Sequence, residues 1–172
     1  NLRKALEREE FQLYFQPKLC VADPSQLSAE VLLRWTNCEL GFVSPGEFIP
    51  IAEQDEMILD ISRYVASKAC HLNAVLYHEM GLDVKLAINL SPQQFDKEQR
   101  LVDFFLEKVA LVDMDPSSFE LEITENVLID DVDFTSKQLN QLREHGFSIA
   151  IDDFGTGYSS LSYLTRFNIN TL

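Results

Sequence analysis

The chain has 172 residues, 46% hydrophobic and 24% charged, the balance of one globular domain large enough to bury a real core. Lys and Arg total 14 against 28 Asp and Glu, and the formal charge of −14 repels nucleic acid in bulk, which excludes a groove tracking a DNA or RNA duplex. A small phosphorylated ligand stays compatible, provided that metals or a few placed arginines supply the attraction. No apolar run reaches the length of a membrane span, and residues 1–10 do not read as a signal peptide. Cys20, Cys38 and Cys70 lack a CxxC spacing, which fits reduced thiols better than a disulfide frame or a zinc site. The expectation is therefore a cytoplasmic domain, without direct membrane insertion of this segment, although its parent can be membrane-attached.

In chain order, residues 2–8 predict a short helix and 12–17 a strand with Tyr14 and Gln16 on one face. Asp23-Pro24-Ser25 supplies a turn, and 27–35 returns as a second strand, so the short connection predicts an antiparallel hairpin. Glu30, Leu32 and Arg34 fall on one face of it and Val31, Leu33 and Trp35 on the other. Ser44-Pro-Gly-Glu47 is a capping-box start that opens a short apolar helix over 48–52. A long amphipathic helix follows, with a stripe of Ile58, Ile61, Val65, Leu72 and Leu76, and Cys70 packed in its middle. His71 and His78 on that helix read as surface or packing residues.

Residues 84–90 predict a third strand with Lys85, Ala87 and Asn89 on one face, and Ser91-Pro92 opens the next helical stretch with Leu101, Phe104, Phe105 and Val109. Residues 119–124 predict a fourth strand, placing Glu120, Glu122 and Thr124 together. A helix over 133–144 ends at His145 and Gly146. The fifth strand then runs through Ser148-Ile-Ala-Ile-Asp-Asp153 into a Gly-rich turn, 160–167 predicts a short helix, and 169–172 starts a sixth strand. Strands alternating with helices after a hairpin argue for an α/β fold with a largely parallel sheet. An open doubly wound sheet and an eight-fold barrel cut short are equally compatible.

Period-2 reading of the strands yields a chemical expectation. Four non-greasy faces each carry an oxygen ligand near the strand's C-terminal end: Glu30, Asn89, Glu122 and Asp152. Asp153 follows at once, and Glu125 sits one step beyond Thr124. Loops at these ends carry the chemistry in parallel α/β folds. Carboxylates plus one amide are hard donors, suited to Mg²⁺ or Mn²⁺ and not to zinc. Adjacent aspartates could share two metals, an arrangement that hydrolyses phosphodiesters. Arg34 shares the face of Glu30 and could fork onto a phosphate, whereas Glu120 could simply pair with Lys85.

These residues also carry a resemblance. Gln16-Pro17, Glu30-Val-Leu-Leu-Arg34, Asn89-Leu-Ser91, Glu120-Leu-Glu-Ile-Thr-Glu125 and Asp152-Asp-Phe-Gly-Thr-Gly-Tyr-Ser-Ser160 resemble, in order, the motifs of the EAL domain family of bacterial cyclic di-GMP phosphodiesterases. The resemblance implies a TIM-like (β/α) barrel with an antiparallel first strand, and hydrolysis of cyclic di-GMP to linear pGpG with two Mg²⁺ or Mn²⁺ ions. It implies that Glu30, Asn89, Glu122, Asp152 and Asp153 are metal ligands, with Glu30, Asp152, Asp153 and Glu125 at the catalytic centre. Glu125 resembles the glutamate that holds the loop 154–160 in its working shape, and Gln16, Leu32 and Arg34 resemble substrate contacts. A homodimer, or association with sensor or cyclase domains, is implied as the partner arrangement, with the loop 153–160 as the candidate switch.

Two departures stand out. The signature is Glu-Val-Leu where the family has Glu-Ala-Leu, and Val31 points to the packing face, which spares Glu30. The family also carries a lysine just after the strand corresponding to 169–172, a later glutamate and two further strands, none of them within 1–172. The expectation is an EAL domain lacking its C-terminal part, about six of eight strands, weak or inactive alone within an active parent. The alternatives are an EAL-like receptor that binds cyclic di-GMP and signals through partners, and a protein-binding scaffold with no metal or nucleotide affinity.

Overall fold

The structure, a computed structural model, describes residues 2–21, 23–128 and 131–152. Helix α1 (Leu2–Glu7) leads into strand β1 (Phe11–Leu19), which pairs antiparallel with β2 (Leu27–Asn37) over its whole length, as the hairpin reading expects. A short strand that the sequence reading lacks, β3 (Gly41–Val43), folds back on the end of β2. Its turn is built by Asn37, whose side-chain oxygen accepts from the N–H groups of Glu39 and Leu40 at 3.0 and 3.1 Å. Gly41 at φ +70° completes the reversal.

Helix α2 (Pro45–Gln54) starts as predicted, with the Glu47 carboxylate accepting from the Ser44 N–H at 3.3 Å. Helix α3 (Ile58–His78), strand β4 (Val84–Asn89), helix α4 (Leu101–Leu111), strand β5 (Phe119–Thr124), helix α5 (Val132–Glu144) and strand β6 (Ser148–Asp152) follow. Helix α5 stops at Gly146, where φ of +104° favours glycine. The helix predicted over 160–167 and the strand from 169 lie outside the described residues. Among the described residues no helix is long and apolar enough to cross a membrane.

The sheet order is β1-β2-β4-β5-β6, with β3 beside β2, and β2, β4, β5 and β6 all run parallel. Successive strands are neighbours and no reversal of order occurs, so the open choice between a doubly wound sheet and a barrel resolves as barrel-type winding. One face of these strands supplies Val31, Leu86, Ile88, Phe119, Leu121, Ile123, Ile149 and Ile151 to a buried core shared with α3, α4 and α5. A second cluster joins α1, α2 and the start of α3 around Phe11, Trp35 and Phe48, whose ring centroids lie 5.7–5.9 Å apart.

Helix α3 corrects one expectation. Ile58 and Ile61 are buried as predicted, but further along the buried side is Ala66, Ala69, Cys70, Asn73 and Ala74, and Leu72 is 36% exposed. Small side chains let the helix backbone approach the sheet closely, and the larger apolar residues are rotated to its flank. His71 and His78 are exposed, in line with the surface reading.

The opposite sheet face is polar, and it curls inward. Lys18 on β1 reaches Glu120 and Glu122 on β5, although β2 and β4 lie between those strands. On a flat sheet three strand spacings amount to about 14 Å, beyond a lysine's reach, so the polar face must be concave. The architecture is a barrel wall with helices outside, and among the described residues the wall is not closed.

Candidate functional site

Strand register sets which side chains meet. The pairs Gln16↔Glu30, Glu30↔Ala87, Ala87↔Glu120 and Glu120↔Ser148 form one row across the concave face. One pleat higher Asn89, Glu122 and Ala150 form a second row, and Thr124 with Asp152 begins a third. Directly opposed residues share a face, so Glu30, Asn89, Glu122 and Asp152 all belong to the interior set, as the alternation predicts. Ala87 and Ala150 stand between the acidic residues, and their methyls leave room for long carboxylate side chains.

The position of Glu30 along its strand differs from expectation. Strand β2 runs on to Asn37, and Glu30 is instead the last of its residues to pair with β4. Beyond Glu30 the strand serves the hairpin with β1 and β3, so the mouth of the parallel wall, and not the strand's own end, defines the site. Asn89 does close its strand, and Asp152 is the last described residue of β6.

Asn89 Nδ2 donates to Glu30 Oε1 at 2.8 Å, joining two predicted ligands from different strands. Glu122 is 7% exposed and Glu120 9%. Burial is the largest influence on the Glu122 carboxyl and raises its pKa. The hydrogen bond and charge of Lys18 oppose that rise, and repulsion from Glu30 and Glu120 adds to it. Lys18 Nζ lies 2.8 Å from Glu120 Oε1 and 2.5 Å from Glu122 Oε1. Burial alone would depress the Lys18 ammonium, but its bonds to Glu120 and Glu122 outweigh that effect, and its pKa is raised.

Lys85, an option for pairing Glu120, turns its Nζ to Ser148 Oγ at 2.6 Å, and Lys18 bonds Glu120. Lys18 is the functional candidate the sequence reading lacks. It stands two residues beyond Gln16 in β1, and alternation alone places it on the site face.

Gln16, level with Glu30 in the ladder, lines the same face, and so do Leu32 and Arg34, farther along β2 toward β3; Gln16 is exposed and the other two half-buried. The Arg34 guanidinium lies 5.9 Å from the centroid of the Tyr14 ring and donates to the Leu33 carbonyl at 2.9 Å. Tyr14, 55% exposed, is thus a platform beneath the arginine. Glu125 is half-buried and opens a 3₁₀ turn, Glu125–Leu128, directly after β5. Asp153 and the loop 154–160 lie outside the described residues, and so does the predicted hold of Glu125 on that loop.

The donor chemistry fits a hard divalent ion. Glu30, Asn89, Glu122 and Asp152 offer only oxygen once the Asn89 amide turns over, with no thiol or imidazole among them. Among the described residues, no three acidic, histidine or cysteine side chains already form a group able to hold a metal ion.

Comparison with known proteins agrees with this geometry. The family model described as the EAL domain matches residues 1–172. The chain is 37% identical over 171 residues to the signaling protein YkoW of Bacillus subtilis, covering 99% of this chain and 21% of that protein. It is 39% identical over 166 residues to the bifunctional diguanylate cyclase/cyclic di-GMP phosphodiesterase MucR of Pseudomonas aeruginosa, covering 96% of this chain and 24% of that one. The solved structure of the PaMucR phosphodiesterase in complex with c-di-GMP aligns with a TM-score of 0.90 at 38% identity, over 98% of this chain and 68% of the other. The chain thus spans less than a quarter of the length of these curated relatives.

Proposed function

The chain belongs to the EAL domain family, and from that premise we propose that it carries most of the site of a metal-dependent phosphodiesterase that hydrolyses cyclic di-GMP to linear pGpG. The observation that carries this reading is the meeting of Glu30 and Asn89 at 2.8 Å on the concave face, with Glu122 directly opposite Asn89 in the ladder. Glu30, Asn89, Glu122, Asp152 and Asp153 would hold Mg²⁺ or Mn²⁺. Two such ions would supply an activated water and a clamp on the phosphate oxygens.

The chain's own residues have separate tasks. Arg34, held over Tyr14, presents a planar fork of donors to a phosphate oxygen without needing to be ordered first. Gln16, opposite Glu30 in the register, offers an amide to the base or sugar, and Leu32 gives an apolar surface beside it. Water adds to one phosphorus, the P–O3′ bond breaks, and the 3′ oxygen leaves with a proton. Glu122, 7% exposed, is itself largely shielded from bulk water. Glu125, at the turn after β5, would be the residue to hold the loop 154–160, which would link turnover to a homodimer or to sensor and cyclase domains.

The test is turnover of cyclic di-GMP by the full-length protein with Mn²⁺, Mg²⁺ or EDTA, beside Asp152→Asn. Production of pGpG that requires the metal and drops by two or more orders of magnitude in the variant is the expected result. Binding without turnover under every condition would replace the enzyme with a receptor, and absence of binding would leave a scaffold.

A further inference from the structure

We propose that Lys18 is a positioning residue, a built-in counter-cation that holds Glu122 and Glu120 until a divalent ion takes Glu122 over. The proposal rests on the reading of Glu122 as a metal ligand and adds a competitor to it.

Glu120 and Glu122 project from the same face of β5, their side chains 12% and 9% exposed. Two carboxylates brought together away from water repel unless one of them takes up a proton or a cation intervenes. The Lys18 ammonium provides the cation, bridging Oε1 of both glutamates at 2.8 and 2.5 Å. It arrives from the antiparallel strand β1 across the concave face, so it is independent of the strands that bear the ligands. Its own backbone is fixed where it crosses: the Lys18 carbonyl accepts from Ser28 Oγ at 2.9 Å, and Lys18 pairs with Ser28 in the ladder. Among the described residues, the register sets Glu30 of β2 and Lys85 of β4 on the same face as Lys18 and the two glutamates of β5.

The geometry makes the contact exchangeable. Lys18 is bonded to both glutamates, so it can release Glu122 to an ion and keep Glu120. Its side chain is 34% exposed, so the released ammonium is not stranded in an apolar interior. Glu120 stands one pleat below Glu122, in the row of Ala87 and Ser148, and is the natural resting partner once the ion is bound. Lys18 would then stabilise the metal-free wall and set a threshold for loading. A lysine that is only scaffolding would keep both contacts in either state.

The two roles separate in a binding experiment with Mn²⁺ alone on the full-length protein. Lys18→Met should bind Mn²⁺ more tightly, on the order of tenfold, because a close opposing charge has been removed. Its thermal midpoint in EDTA should fall by several degrees, and its rise on adding Mn²⁺ should exceed that of the parent. Lys18→Arg should stay near the parent in both. Unchanged or weaker Mn²⁺ binding by Lys18→Met would overturn the proposal.

Should Lys18→Met fail to fold, the unaltered protein gives the answer by amine labelling read by mass spectrometry. Lys18 should label faster in saturating Mn²⁺ than in EDTA, and equal or slower labelling would overturn the exchange. Glu122→Gln keeps the two readings apart. Loss of Mn²⁺ binding in that variant together with an unaffected Lys18→Met would sink only the role of Lys18, whereas full Mn²⁺ binding by Glu122→Gln would sink the ligand assignment beneath it.

Discussion

Cys70 is 1% exposed on the sheet-facing side of α3, and burial pushes its thiol up to about 12, against a small opposing pull from Lys108. Almost no thiolate exists at neutral pH, and the sulfur is shielded as well. Cys38 is exposed in the turn after β2. Alkylation at mild alkaline pH should therefore modify Cys38 readily and Cys70 only on unfolding, a difference that mass spectrometry of partial digests resolves. Glu10 gives a second test. Its carboxylate accepts from Trp35 Nε1 and Asn37 Nδ2, both at 2.9 Å, and these bonds hold its pKa below the ordinary value, the one from Trp35 most strongly. A depressed carboxyl stabilises the fold above its unfolded pKa and loses that contribution as pH falls through the folded value. Denaturant midpoints of the parent and Glu10→Gln should differ at neutral pH and converge on the acid side. A gap that persists unchanged in acid would assign the effect to packing around Trp35.

At the scale of elements, the alternation in β2, β4, β5 and β6 was enough to sort the site face from the core face, because a period of two leaves no third option. The hairpin and both capping signals were legible for the same local reason. Three features were not. Strand β3 has only three residues, too few for any periodicity, and depends on an asparagine turn. The phase of α3 drifts because its contact with the sheet selects small residues, so a stripe drawn from large apolar side chains points to the wrong flank. Lys18 was on the right face but had no local mark, since its importance comes from β5, more than a hundred residues away. The α3 difference has a measurable consequence. Ala69→Leu should destabilise by about 1–3 kcal/mol through overpacking against the sheet. Leu72→Ala, at a site already 36% exposed, should cost well under the about 2–5 kcal/mol of a buried leucine. Urea unfolding of the two variants checks the order, and the reverse order would restore the large-residue stripe.

For the molecule as a whole, the concave polar wall and its outer apolar face have different needs. On the polar face Lys18 spans from β1 to the two glutamates of β5, and Lys85 donates to Ser148. The outer face is covered by α3, α4 and α5 along the parallel strands, but toward β1 that cover thins. Phe15 is 40% exposed, Leu19 76%, Val21 88% and Leu27 51%, and among the described residues β1 pairs on one side only. A nine-residue edge strand with apolar side chains is a template for pairing with another chain. Pro17 removes one donor from that edge, which weakens the template without removing it. The net charge of −14 opposes association, but screening at about 0.15 M salt confines that repulsion to about 8 Å. The short-range apolar contact should therefore win. Expressed as these 172 residues, the protein should sediment as a concentration-dependent mixture of monomer and larger species, more so as salt is raised. Phe15→Lys and Leu19→Lys together should return it to monomer with an unchanged circular-dichroism spectrum, because both side chains lie on the outer face and away from Lys18. A parent chain that stays monomeric across the concentration and salt series would show that the β1 edge is already protected.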